Sequence, residues 1–276
     1  MDWTRTQILA VVEESPARVA AHDRAGWLGL FGADAVVEDP VGGAPVRRGP
    51  GARDPLGAFF DTFIALHDIR FEVLQDCVFG LEVMRDVVIH TRISGRELAV
   101  PAYLLYQLAE EGGRLVIRRM AAHWELSGQT RAALGQGPGT AWAVTRLFGR
   151  MLRVMGPGWV GRYLGAYGGA GARGKRLLVQ LGRALDARDA RGLAGLFASP
   201  ADGLGHGPRR LSPDGLLSAI PAGARIAFDR PLSAGLTTAA RYALEGGPSP
   251  SRGVLLLSLV RAGRALAIDE ARLFPA

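Results

Sequence analysis

The chain has 276 residues, of which 48% are hydrophobic and 21% charged; this excludes wholesale disorder and supplies ample material for one large core or two small ones. No run of eighteen apolar residues exists, and the start MDWTRTQ lacks a secretion-signal apolar stretch, so neither a spanning helix nor export is expected. The net charge of +7 points at first to an anionic partner, but Lys175 is the only lysine, and arginine enrichment of this kind follows codon usage, so the count alone says little about phosphate recognition.

In chain order, Ser15-Pro16 reads as an N-cap and first helical position, followed by helical spacing over Ala17 to Phe31. Ala35 to Glu38 is a short strand, stopped by Pro40 and Gly42-Gly43. Pro55 to Leu66 is a second helix carrying Leu56, Phe59, Phe60 and Phe63 on one side. Four strands follow, Ile69 to Phe79, Glu82 to Ile93, Leu98 to Ala109 and Arg114 to Leu126, with hairpin signals at Ser94-Gly95 and Gly112-Gly113. Helices followed by an antiparallel meander predict an α+β fold, a curved sheet with helices on one face.

The middle segment carries the charge. From Leu126 to Leu185 there is no Asp or Glu, but there are eight arginines and Lys175. Ala141 to Met155 reads as a basic amphipathic helix with Arg146, Arg150 and Arg153 on one face. That face admits peripheral contact with an anionic membrane, but the favoured expectation is that its apolar side packs and its arginines meet water. Nucleic acid is not expected, because no base-stacking motif accompanies the charge.

A repeat follows. His22 to Phe31 reads HDRAGWLGLF and Arg188 to Phe197 reads RDARGLAGLF, at a constant offset of 166. Strands are again expected at Ala224 to Leu232, Leu236 to Leu244, Arg252 to Val260 and Leu266 to Phe274. The expected organisation is a first domain over 1–130, a basic helical connector over 131–174, and a degenerate, chemically silent copy over 175–276. Pairing of the two halves, or of two chains, is the expected mode of association.

Val36 to Gly42 reads VVEDPVG. The run HDRAGWLGLFGADAVVEDPVGGAP resembles the start of bacterial Δ5-3-ketosteroid isomerase, in the NTF2-like, SnoaL-like superfamily, and MAAHW at Met120 to Trp124 resembles that family's last strand. The resemblance covers about the first 125 residues. It implies a conical barrel with an apolar pocket, two such barrels if the repeat is a second copy, and a general-base aspartate at Asp39. In that isomerase an apolar site tunes the carboxyl pKa values, and the resemblance implies a raised pKa for Asp39 as a general base. The resemblance departs at the oxyanion donors. Ser15 stands at the tyrosine position, Phe31 and Phe60 at its supporting tyrosines, and Tyr103 at the protonated-aspartate position. Tyr103 is therefore the expected single donor, and one donor for two forfeits on the order of 10²-fold or more in rate.

Strand alternation then assigns the expected wall. If Tyr103 faces inward, so do Pro101 and Leu105; with Trp124 come Met120 and Ala122; Val87 and Ile89 face in, while His90 and His123 face out. Phe60 and Ser15 complete the expected substrate contacts. Asp61 is expected on the solvated side of its helix, and Asp202 and His206 in a turn. The pocket so described suits a hydrophobic carbonyl-bearing molecule, steroid- or polyketide-like, and proton transfer on it. The alternatives are a non-catalytic binder of an apolar ligand, or an epoxide-opening cyclase in which Tyr103 or Asp61 supplies the second acid. No cofactor or metal is expected, since five scattered histidines show no ligand spacing and Cys77 stands alone. The lone cysteine also makes the cytoplasm the expected compartment.

Overall fold

Thr4 opens the first helix, α1 (Arg5–Ala20). Its hydroxyl accepts from the Gln7 N–H at 3.3 Å, and the Gln7 side chain accepts from the Thr4 N–H at 2.9 Å, a reciprocal cap. These coordinates are a computed structural model, and they describe residues 3–51, 54–93, 95–199, 211–246, 251–263 and 265–276. Ser15 and Pro16 lie inside α1 rather than at a helix start. Pro16 forfeits one backbone donor, yet Ile8, Val12, Ser15 and Val19 form one buried stripe that continues through it. The break comes at His22, whose φ is 52°, and Asp23 then caps α2 (Arg24–Gly29) by accepting from the Gly26 N–H at 2.8 Å.

The chain divides into two compact units, Met1–Asp76 with Leu81–Tyr167, and Cys77–Gly80 with Gly168–Ala276. In the first, strands β1 (Phe31–Glu38), β2 (Val46–Arg47), β3 (Ile69–Phe79), β4 (Glu82–Ile93), β5 (Arg96–Glu111) and β6 (Arg114–His123) make one curved, open sheet in the order β2-β1-β6-β5-β4-β3. β1 runs parallel to β6, and the β4–β5–β6 meander is antiparallel. The helix expected over Pro55 to Leu66 is α3 (Pro55–Phe59), capped by the Asp54 side chain and widened into a π-helical turn over Phe60–Ile64. The aromatic core gathers around Trp27, with ring centroids 4.6 Å from Phe31, 6.3 Å from Phe59 and 5.5 Å from Phe60.

Three helices follow in the same unit: α4 (Leu126–Gly135), α5 (Pro138–Val154) and α6 (Pro157–Tyr163). The last strand stops at His123, so Leu126 begins a helix that the strand pattern of the sequence hides. Most of the segment expected as a connector thus lies within the first unit.

The second unit holds α7 (Gly171–Asp186), α8 (Ala190–Ala194), α9 (Pro213–Ala219) and a four-stranded antiparallel sheet, β7 (Arg225–Ala234), β8 (Thr237–Glu245), β9 (Ser251–Ala262) and β10 (Ala265–Pro275), in the order β10-β9-β8-β7. Leu177, Leu178, Leu181 and Leu185 of α7 pack into the core that this sheet encloses. Gly174 and Gly182 permit the approach: a Cβ would stand 2.3 Å from the Thr238 hydroxyl at the first and 3.1 Å from the Phe228 ring at the second.

The sequence offset of 166 recurs in the structure. α7 repeats the span of α1, Arg188 repeats the φ of His22 at 50°, and Asp189 accepts from the Gly192 N–H at 2.8 Å as Asp23 does from Gly26. The next junction matches too: the Ile117 N–H donates to the Leu30 carbonyl, and the Ile268 N–H to the Leu196 carbonyl, both at 2.8 Å. Asp202 and His206 lie outside the described residues. Among the described residues no helix is long and apolar enough to cross a membrane.

Candidate functional site

β1 and β6 together place the carboxylate. Val37 stands beside Met120 and Glu38 beside Ala121, and the Val41 N–H donates to the Ala122 carbonyl at 2.9 Å. Alternation then turns Ala35, Val37 and Asp39 to the inside and Glu38 to the outside, where Arg119 donates to it at 2.7 Å. The Asp39-Pro40 peptide is cis, and the chain turns away at Gly42, φ 88°.

Asp39 opens onto a cavity of ≈ 230 Å³. That is about eight water volumes, enough for a small apolar ligand. Its wall comes from every layer of the unit: Val19 and Trp27 from the N-terminal helices, Phe59 and Phe63 from the α3 region, Ile69, Phe71, Ile89, Leu98, Val100, Leu104, Met120 and Ala122 from the sheet, and Leu147 from α5. Polar groups are few: Asp39, Ser15, Tyr106, Trp124, Thr91, His67 and Gln129.

The Trp124 indole N–H donates to Asp39 Oδ1 at 2.6 Å, and no other side chain among the described residues hydrogen-bonds this carboxylate. Burial in apolar surroundings raises the Asp39 pKa above the ordinary carboxylate value, and the Trp124 bond offsets part of that rise. One oxygen is therefore oriented by the indole, and the other has no side-chain hydrogen bond among the described residues. Also on the wall, the Tyr106 hydroxyl is hydrogen-bonded with Ser15, and Ser15 Oγ accepts from the Trp27 indole N–H at 3.2 Å. Burial raises the Tyr106 pKa, Arg85 and the Ser15 bond oppose the rise, and Asp39 adds to it, so the phenol stays protonated as a donor. Gln129 Oε1 is buried with no hydrogen-bond partner among the described residues. The Tyr163 pKa is raised by burial and then by the charge of Asp39. Its ring stacks on Trp159 at 5.2 Å and on Phe63 at 6.0 Å, so α6 adds an aromatic flank.

Several expected wall residues take their places: Asp39, Ser15, Met120, Ala122, Trp124 and Ile89 line the cavity. Val87 shares the face of Ile89 but is fully buried without lining the space, and Phe60 is buried behind it against Trp27. Tyr103 and Leu105 are on the other face of β5, outside the cavity, and the pairing gives the reason. The hairpin closes with Glu111 opposite Arg114 and runs in register to Leu108 opposite Ile117. Gln107 then pairs with Arg119, so Arg118 is a one-residue bulge. The slip sets Tyr103 opposite His123 and Leu104 opposite Ala122. Directly paired residues share a face, so an inward Ala122 requires an inward Leu104 and Tyr106, and an outward Tyr103.

His90 and His123 point outward as alternation predicts: His90 meets Glu72 at 3.0 Å and Glu97 at 2.5 Å, and His123 Nδ1 is 3.2 Å from the Tyr103 carbonyl. Asp61 pairs with Arg24 at 2.9 Å, outside the cavity. Both acids considered for epoxide protonation, Tyr103 and Asp61, are thus absent from the wall. Tyr106 is the functional candidate that sequence reading missed. Its signal is the pairing with Met120, readable only once the bulge is known. Among the described residues no group of three His, Cys, Asp or Glu could hold a metal ion.

Residues 12–128 match the family model described as a SnoaL-like domain. The Δ5-3-ketosteroid isomerase from Mycobacterium sp. is 26% identical, covering 44% of this chain and 95% of its own, with a TM-score of 0.38. RV0760c from Mycobacterium tuberculosis, solved in complex with estradiol-17beta-hemisuccinate, is 27% identical over 44% of this chain and 95% of its own, with a TM-score of 0.38. A computationally designed 17-OHP binder is 25% identical over 44% of this chain and 95% of its own, also with a TM-score of 0.38. No curated protein sequence matches the chain. Residues 12–128 are thus similar to a SnoaL-like domain, and the unit that holds them is a curved α+β sheet around an apolar cavity.

Proposed function

We propose that the first unit is an isomerase-type catalyst in which Asp39 moves a proton between carbons of a hydrophobic carbonyl compound, steroid- or polyketide-like. The observation that carries this reading is a single carboxylate of raised pKa, held by one indole N–H, in an otherwise apolar cavity. The free Asp39 oxygen takes a proton from the carbon beside the carbonyl. The C–H electron pair forms the enolate, whose oxygen is met by the Tyr106 hydroxyl. The proton then returns at the conjugated carbon, so the net change is an isomerisation and no co-reactant is consumed. Tyr106 takes the donor role expected of Tyr103, with Ser15 behind it. The proposed setting is the cytoplasm, the compartment expected for a chain with a lone cysteine.

The test is turnover of a panel of β,γ-unsaturated ketones, with loss of the α-proton to solvent deuterium followed by NMR. Wild-type exchange that Asp39→Asn abolishes, with ligand affinity retained, is the expected result. Tight binding with no exchange in either form would make the domain a binder instead.

A further inference from the structure

A second space adjoins the apolar cavity in the same unit. It is a cleft of ≈ 600 Å³ between α5 and the π-helical turn, and its lining includes Trp142, Arg146, Arg150 and Arg153 of α5 and Arg92 of β4. Among the described residues no carboxylate lines it. Arg146, Arg150 and Arg153 fall four and three apart, so they share one helix face, where like charges repel. Arg150 is fixed, its Nε and one Nη donating to the Asp61 carbonyl at 3.1 and 2.7 Å. Arg146 and Arg153 are exposed and have no ion-pair partner among the described residues. Arg92 is partly offset, since Glu97 stands opposite it on β5. Trp142, 64% exposed, offers a flat apolar face beside the cations.

The two spaces are neighbours: His67 and Leu147 line both. A ligand whose apolar body fills the cone would leave any polar extension at this junction. We infer that the cleft is a subsite for an anionic group, a carboxylate, sulfonate or phosphate, carried by the ligand whose apolar part occupies the cavity. This rests on the proposed ligand-binding role of the cavity and specifies its substrate class as an anionic amphiphile. Guanidinium groups suit such oxyanions because their planar donors match two oxygens at once. Long-range attraction by three cations would also hasten capture, and added salt would screen it.

Two dyes that differ by a sulfonate test the proposal on the full chain: 1-anilinonaphthalene-8-sulfonate and the uncharged N-phenyl-1-naphthylamine. The sulfonate should bind at least tenfold tighter to the wild type and lose that advantage in 0.5 M NaCl. Arg146→Gln with Arg153→Gln should bring the sulfonate down to the affinity of the neutral dye and leave the neutral dye unchanged. Ala122→Trp, which fills the cavity, should weaken both. Equal wild-type affinity for the two dyes, or a sulfonate advantage that survives the double substitution, would overturn the inference alone. Binding of neither dye would remove it together with the cavity reading beneath it. Flotation with phosphatidylglycerol and phosphatidylcholine vesicles covers the other occupant. Arginine-dependent recovery on the anionic vesicles with no difference between the dyes would assign the face to a membrane and overturn the subsite.

Discussion

Asp39 is costly to the fold for the reason that suits it to the proposed chemistry: its burial disfavours the charged form. Its pKa is raised in the folded state, so the folded protein holds this proton more tightly than the unfolded chain. The contribution to stability is full below the unfolded carboxylate value and is lost as pH rises through the folded value. Asp39→Asn is therefore expected to raise the thermal midpoint near neutral pH, with the gain vanishing at acid pH where both forms are neutral, and to abolish turnover. Calorimetry at several pH values checks the first part, and the deuterium-exchange assay the second. The wild-type rate should itself rise with pH through the raised Asp39 value, because only the carboxylate is a base. The two tyrosines divide sharply at this scale. Tyr106→Phe should cost about 10²- to 10³-fold in kcat as a lost oxyanion donor. Tyr103→Phe should leave kcat near wild type, since its ring lies on the other face of the sheet. A large loss on Tyr103→Phe alone would refute the assignment.

At the scale of elements, local chemistry was readable wherever a residue acts on its own neighbours. The strands Ile69–Phe79 and Glu82–Ile93 have the limits that alternation and turn residues predict. Asp23 and Asp189 cap short helices at equivalent places in the repeat, and either one changed to Ala should cost about 1 kcal/mol in urea unfolding. Ser15-Pro16 misled because it matches a helix start, whereas the apolar stripe of α1 runs through it. Across strands the sequence is weaker. Arg85, 2% exposed, reaches back from β4 to grip Asp76 of β3 at 2.7 and 2.9 Å. Arg85→Ala should destabilise by about 3–5 kcal/mol, because it strands a partly buried carboxylate. Chemical denaturation would read that loss directly.

For the whole molecule, much of the excess charge falls in the unit that holds the cavity. The acid-free stretch Leu126 to Leu185 carries the excess of cations, and much of it folds into α4–α6 of the first unit. Ligand binding should be equally local. At a hundred times Kd it would stabilise the unit that binds by about 2.7 kcal/mol. Hydrogen exchange should slow in β1, β5 and β6 and remain unchanged in β7–β10. Slowing in both sheets would show that the leucine-filled second unit takes part.

The sequence by itself determined the class of fold, the acidic strand end VVEDPVG, the repeat at 166 and the histidines that face out, because each depends on period or short spacing. It could not determine which tyrosine lines the cavity. That was decided by Arg118, one extra residue in β6, which shifts the β5–β6 register by one and exchanges Tyr103 for Tyr106 at the wall. A strand repeats every two residues, so a single bulge reverses a face. Nothing in the local pattern of either strand records it; only the paired sheet does. The arginine cleft is of the same kind: the sequence places three cations on one helix face, and tertiary packing alone brings that face beside the cavity.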